Sequence, residues 1–371
     1  MTAGREGPTI DSPSDDPWPR AVRRRSGSVL PMQTAASGAG GRPLVIVNPA
    51  AGRGRTGRDL RHLLMGIRDA AGEVDVAETG CRGDAAELAG AAARARRPLV
   101  IGLGGDGTLD EIVNGLLPAG PQAYRATPDP ALLPALGIVG TGTGGDFGRS
   151  LGIPHELGAY CAALKYGADR AIDVGWARFP DLDGHLVERY WINVLSAGLG
   201  GLVDRYTAAA PAFLGGRLAY AQATLRAIVT CRRVKLACSF VDAQGVRREL
   251  PLDAHAVAIC NGRTFGGGMN IAPMARLDDG LLEVIAFQTR TRWRMVGRFR
   301  TIYSGRHLLE EGVDHFTCRE VELRPASPPA RRRPHAGLFP LDVDGDAIGD
   351  VPLTAGVARA ALRVRAPVSR A

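Results

Sequence analysis

Through the first third of the chain, apolar residues come in short continuous runs, each followed by a turn and then by helical spacing. Pro43–Val47 reads as a buried strand, closed by a turn at Asn48, Pro49 and Gly52; Leu60, Leu63, Leu64 and Ile67 follow on one helical face. Glu73–Thr79 alternates as a second strand, and Gly83-Asp84 opens an alanine-rich helix running to Arg96. Leu99–Leu103 is a third strand. Gly104, Gly105 and Gly107 then make a tight turn, and Thr108 is expected to cap a helix carrying Leu109, Ile112, Val113 and Leu116 on one side. After a proline-rich loop (118–134), Ala135–Val139 forms a fourth strand ending in a glycine-rich turn over 140–148. This alternation predicts an α/β domain with a parallel sheet covered by helices. Its ligand would sit beyond the carboxyl ends of the strands, where the three glycine turns fall.

After about Ala171 the period changes. Ile172–Phe179, Leu186–Leu195, Val234–Val241, Val246–Leu252, Ala256–Cys260, Leu281–Phe287 and Phe316–Leu323 read as longer, alternating strands. Helical spacing interrupts them at 216–230 and 292–304. The expected second domain is a mainly antiparallel β-sandwich, and Val357–Val364 is expected to return to the first domain. The division is therefore a disordered leader (1–41), an α/β domain (42–171, with 355–371 returning to it) and a β-rich domain (172–354).

Composition narrows this little. The chain has 371 residues, 45% apolar and 23% charged, enough for two domains. Its net charge of +8 favours anionic partners without choosing among them. Nearly all of it is arginine, since Lys165 and Lys235 are the only lysines. Six cysteines (81, 161, 231, 238, 260 and 318) lack metal-type spacing and read as thiols of a reducing cytosol. No apolar run approaches the ~20 residues that span a bilayer, and the start carries no signal-peptide core. The low aromatic content argues against a nucleic-acid surface.

The chemistry begins at Leu99–Asn114. A glycine turn between strand and helix brings backbone N–H groups to phosphate oxygens at a helix N-terminus. Asp106 is the unusual member. A carboxylate ~4 Å from a phosphate costs about 4 kcal/mol at an effective dielectric of ~20 unless a cation lies between them. An acid at the tip of a phosphate loop therefore suggests Mg²⁺–nucleotide chemistry. Gly102-x-Gly104-x-x-Gly107 is formally a dinucleotide fingerprint. The string Gly104-Gly105-Asp106-Gly107-Thr108 is more restrictive. It resembles the diacylglycerol kinase catalytic family, which includes bacterial lipid kinases and sphingosine kinases, and more distantly the NAD kinases and phosphofructokinases.

Further motifs extend the resemblance over about residues 43–366. Asn48-Pro-Ala-Ala-Gly-Arg53 is similar to the family's Asn-Pro-x-Ser-Gly-Lys, with Ala51 and Arg53 replacing the serine and lysine. Gly142-Thr-Gly-Gly-Asp-Phe-Gly-Arg149 resembles Gly-Thr-x-Asn-Asp-Phe-x-Arg, with Gly145 where asparagine is usual, so the hydrogen bonds of that side chain are lost. Gly140-x-Gly142-x-x-Gly145 also fits a Rossmann fingerprint, but a Rossmann turn normally follows the first strand, not the fourth. The stretch Asn261–Leu282 fits the family's Asn-Gly…Gly-Gly-Gly…Pro…Asp-Gly-x-Leu pattern throughout. Asp342-Val-Asp344-Gly345-Asp346 resembles the family's Asp-Gly-Glu, with Asp346 in the glutamate's place. An EF-hand would need glycine and glutamate where Ala347 and Leu353 stand, which disfavours calcium.

The resemblance implies a lipid kinase that transfers the γ-phosphoryl group of ATP to the hydroxyl of diacylglycerol or a related lipid. It implies ATP held by Asn48, Pro49, Gly52, Arg53, Thr79, Gly104, Gly105, Asp106, Gly107, Thr108, Gly142, Thr143 and Arg149. A water-linked Mg²⁺ network would join Asp106, Asp146 and Asp173, and a structural Mg²⁺ would bind Asp279 with the carbonyls of Arg276 and Leu281. Asp346 or Asp344 would deprotonate the acceptor. An anionic membrane surface is an expected transient partner, with Arg331, Arg332 and Arg333 as candidate contacts, and a homodimer is a further expected association. The expected location is cytoplasmic and peripheral to the membrane. Two other readings stay open: a soluble-substrate kinase of NAD kinase type, and a non-catalytic lipid- or nucleotide-binding regulator.

Overall fold

The structure is a computed structural model that describes residues 41–117, 129–209, 215–289, 301–327 and 339–368. The leader up to residue 40, Arg331–Arg333, most of the helix expected at 292–304 and the side chain of Asp346 lie outside the described residues.

The first half contains the four strands and three helices its periodicity predicts, with α1, α5 and α6 in addition. In order come β1 (Leu44–Val47), α1 (Ala51–Arg58), α2 (Leu60–Ala71), β2 (Asp75–Glu78), α3 (Asp84–Arg94), β3 (Leu99–Gly104), α4 (Asp106–Leu116), β4 (Ala135–Gly140), α5 (Asp146–Ser150) and α6 (Leu157–Tyr166). β1 pairs in parallel with β2 and β3, and β3 with β4. All six residues of β3 are buried, as a sheet covered on both faces requires. α4 buries Leu109, Ile112, Val113 and Leu116, the predicted face, and Asp110 with them. Thr108 does not cap it. The helix starts at Asp106 with Gly105 as its N-cap, and the Thr108 hydroxyl accepts instead from Asn48 Nδ2 at 3.0 Å.

The second half contains β5 (Ala168–Pro180), β6 (Leu186–Trp191), β7 (Val194–Gly198), α7 (Leu199–Ala208), α8 (Gly215–Thr230), β8 (Val234–Val241), β9 (Arg247–Ala254), β10 (Ala256–Cys260), β11 (Leu282–Phe287), β12 (Val313–Cys318), β13 (Glu320–Pro325), β14 (Pro340–Val343), β15 (Asp346–Asp350) and β16 (Leu353–Ala366). Two expected strands prove to be two each. Leu186–Leu195 breaks at Ile192-Asn193 and Phe316–Leu323 at Arg319, and each pair of pieces joins different sheets. At the first crossing the core-facing positions Val187, Trp191, Leu195 and Ala197 keep one parity, because both sheets face the same core; at the second the parity shifts between Cys318 and Val321.

One sheet has the order β2-β1-β3-β4-β16-β13-β8-β9, with β5 on β16 and β6 on β5; the other has the order β12-β11-β10-β7-β14-β15. The second sheet is antiparallel throughout. It packs on the antiparallel end of the first around Phe179, Trp191, Leu236, Ile259, Val284 and Leu341. A separate core lies between the parallel strands and their helices. β16 spans both regions: it pairs antiparallel with β5 and β13 and in parallel with β4 through Val364 and Leu136. The expected boundary at 171/172 falls within β5, a single strand that crosses it.

Candidate active site

Three turns meet at the carboxyl ends of β1, β3 and β4. Asn48 joins the first to the second, its backbone N–H donating to Leu103 O and its amide to Thr108. Thr56, in α1, meets Thr141 hydroxyl to hydroxyl at 2.7 Å. A Cβ at Gly52 would lie 2.5 Å from the Thr141 carbonyl, and one at Gly142 would lie 2.8 Å from Gly105 Cα. Backbone at this separation leaves no room for side chains, so N–H groups rather than Cβ atoms face the concavity. Arg53 and Thr143 stand exposed beside it, and Thr79 follows β2 on the same sheet edge, tied to Val47 O.

Asp106 occupies the first position of α4, where the helix dipole favours negative charge. Its oxygens accept the N–H groups of Gly145 (2.9 Å) and Phe147 (3.4 Å), at the start of α5. Asp146 lies beside it. Its carboxylate accepts from Gly267 and Gly268, each at 2.7 Å, and from Arg149 Nη1 at 3.2 Å. Burial raises the Asp146 pKa, the nearby Asp106 charge adds to the rise, and the N–H groups of Gly267 and Gly268 and the Arg149 charge oppose it. The 261–268 loop thereby ties the glycine turns to the second sheet, helped by Thr264 Oγ1 on Asp146 O and Asn193 Nδ2 on Thr264 O.

A third acid comes from the second sheet. Asp344, at φ +47° in the β14–β15 turn, accepts from Ile192 N and Val194 N, both at 2.9 Å. Burial pushes its pKa up to about 8, with the charges of Asp110 and Asp106 adding to the rise. Asp110, one helical turn after Asp106, is 1% exposed and ion-paired with Arg189 of β6. Asn114, another turn on, holds the backbone of Tyr190 by donating to its carbonyl and accepting its N–H. Asp106, Asp146 and Asp344 thus belong to one region.

Asp173 belongs to another. Its oxygens accept Gly280 N–H (2.6 Å) and Ala360 N–H (2.7 Å), and its own N–H donates to Leu277 O. Its hydrogen bonds thus set it in the 277–281 turn with Asp279, rather than beside Asp106. Asp279 accepts Leu281 N–H at 3.0 Å; burial raises its pKa, and the neighbouring Asp173 and Glu283 charges add to the rise. Asn261 links the two regions, its amide donating to the carbonyls of Asp173 and Ile192.

Both acid groups offer the oxygen donors a hard divalent cation takes, and neighbouring carboxylates add to the raised pKa of Asp146 and Asp344 in one and of Asp279 in the other. Sequence reasoning missed Asp110, Asn114, Arg189 and Asn193. The first two carried a signal, standing four and eight residues after Asp106 on the same helix face.

Comparison with known proteins shows the family. The model of the diacylglycerol kinase catalytic domain matches residues 42–177, and that of the YegS C-terminal NAD kinase beta sandwich-like domain matches 193–366. A protein of Chromohalobacter salexigens named "Probable lipid kinase YegS-like" is 30% identical over 311 residues, covering 83% of this chain and 89% of that one. The chain belongs to the diacylglycerol kinase catalytic-domain family, and so to the lipid kinases. Within that family, the Bacillus subtilis protein named "Diacylglycerol kinase" is 29% identical over 285 residues, 76% of this chain and 85% of its own. A crystal structure of a diacylglycerol kinase from Bacillus anthracis str. Sterne shares the fold at a TM-score of 0.59 and 20% identity, covering 88% of this chain and 96% of that one.

Proposed function

We propose that this family member transfers the γ-phosphoryl group of Mg-ATP to the hydroxyl of diacylglycerol or a closely related lipid. The observation that carries the reading is the convergence on one region of Asp106, at the tip of the glycine turns, and Asp344, delivered by the other sheet. The turns at 48–53, 104–108 and 142–144 supply backbone N–H groups to the phosphates, and Arg53 and Arg149 offset charge on the group in transit. Phosphoryl transfer rests mainly on such positioning and neutralisation. Mg²⁺ would be held at Asp106, with Asp146 beside it, and when bound supplies charge neutralisation between the carboxylates and the phosphates. A second Mg²⁺ would bind Asp279 and the carbonyls of Arg276 and Leu281, bracing the 277–281 turn against Asp173.

The base that takes the lipid hydroxyl's proton comes from the 344–346 turn, from Asp344 or Asp346. Asp344 is held by two backbone N–H groups and faces the charges of Asp106 and Asp110, so its proton affinity is high enough to accept a hydroxyl proton near neutral pH. Among the described residues no helix is long and apolar enough to cross a membrane. A lipid acceptor would be met at the membrane surface, with the enzyme peripheral to it and Arg331–Arg333 as the candidate contacts for acidic headgroups. Thin-layer separation of labelled-ATP reactions against a lipid panel, with NAD alongside, tests the proposal. Label on a hydroxyl lipid supports it. Label on NAD alone makes this a soluble-substrate kinase, and nucleotide binding without transfer makes it a regulator.

A further inference from the structure

Behind the 140–148 turn lies a side-chain pair that the proposed chemistry does not use. His155 precedes α6, and Tyr160 lies within it. The imidazole Nε2 is 2.9 Å from the Gly142 carbonyl, and Nδ1 is 2.7 Å from the Tyr160 hydroxyl. A carbonyl only accepts, so Nε2 carries the hydrogen and Nδ1 accepts a hydrogen bond from the tyrosine O–H. Tyr160 is 1% exposed and stands edge-on to the imidazole, with ring centroids 5.9 Å apart. Burial pushes its pKa up to about 12, which keeps the phenol a donor.

The turn has been hollowed to admit this pair. A Cβ at Gly145 would collide with the His155 ring, and one at Gly140 would come within 2.5 Å of the Tyr160 hydroxyl. Gly145 stands where the resembled motif carries asparagine. Its backbone, at φ +66° and ψ +29°, is left-handed, a conformation asparagine tolerates better than most residues. The backbone would therefore admit asparagine, and the imidazole is what excludes it.

We propose that His155 is a positioning residue for the 142–146 phosphate turn, its imidazole filling the space of an asparagine side chain at 145 and holding the turn through Gly142. The consequence reaches Asp106, because Gly145 N–H is one of the two backbone donors on that carboxylate. A turn released at Gly142 carries the donor away from Asp106 and loosens the nucleotide site. Tyr160 keeps the imidazole in the tautomer that donates to Gly142. The inference rests on the kinase reading only for the identity of the ligand, Mg-ATP.

Calorimetric titration with magnesium and ATP on the full chain tests it, together with KM for the lipid and thermal melting. His155→Ala should weaken Mg-ATP binding roughly tenfold, with the lipid KM within about twofold and melting within about two degrees. Gly145→Asn alone should lose at least as much, since its side chain meets the imidazole. The double variant should return to within about threefold of wild type, the non-additivity expected of groups sharing one space. His155→Gln, which keeps an N–H for Gly142, carries the same comparison where the alanine variant melts without cooperativity. Unchanged affinity on losing the imidazole, or a double variant weaker than either single, overturns the proposal. If no lipid accepts phosphate yet the cycle in Mg-ATP affinity holds, the lipid-kinase reading falls and this one stands. Lipid phosphorylation with additive losses in affinity does the reverse.

Discussion

Asp106 and Asp344 are both carboxylates with two backbone donors, yet the proposed function gives them opposite tasks. Asp106 stands at the first position of its own helix and accepts two N–H groups from the start of α5. Asp106→Asn keeps an acceptor for one N–H but removes the charge. It should lower kcat by at least about a hundredfold while leaving the melting curve in place. Near-normal turnover would contradict the role. Asp344 is raised to about 8 by burial and by two neighbouring carboxylates, whereas an aspartate in the unfolded chain titrates near 3.9. The folded state therefore binds this proton more tightly. The stability it lends is complete below about pH 4 and is lost as pH rises through about 8. Asp344→Asn is neutral throughout. In EDTA, the melting temperature of the wild type should fall relative to that variant by several degrees between pH 5 and 9, and parallel curves would contradict the raised pKa. The asparagine-to-glycine exchange at 145 was legible in the sequence as a loss. That His155 takes up the space was not, because ten residues of chain give no measure of what folds back on what.

At the level of elements, α4 does more than present Asp106. Its buried face is apolar as the spacing predicts, but Asp110 and Asn114 lie on an adjoining stripe and bind β6, from beyond the expected domain boundary. The Asp110–Arg189 pair is nearly closed to solvent, so removing one partner strands a charge. Arg189→Ala should cost about 3 kcal/mol in urea unfolding, and adding Asp110→Ala should recover part of it. Equal losses in the single and double variants would mean the pair acts through packing alone. Strand count was less legible than helix position. Leu186–Trp191 and Val194–Gly198 share one alternating pattern, and the pattern records burial rather than which sheet buries it.

For the whole molecule, β16 is the strand that both regions need. It supplies ten residue pairs to β5 and one parallel contact to β4, joining the parallel and antiparallel ends of the large sheet. A chain ending at residue 352 should therefore lose cooperative melting altogether, and a fragment of 42–171 should not fold alone, as circular dichroism and limited proteolysis would report. A folded fragment would show that β16 is an addition to the first domain rather than part of it. The candidate site inherits this arrangement: glycine turns come from one end of the sheet and the Asp344 turn from the other layer, and β6 and the 261–268 loop join them.

By itself the sequence determined the family, the parallel α/β half, the three glycine turns and the acids proposed for the site. Those features are local, since period and turn chemistry are written in neighbouring residues. Only the tertiary structure decided that Asp344 meets Asp106 while Asp173 joins Asp279, that Asp110 pairs with Arg189, and that His155 occupies the space beside Gly145. Each of these depends on which surfaces the folded chain brings within a few ångströms, and spacing along the chain does not encode that distance.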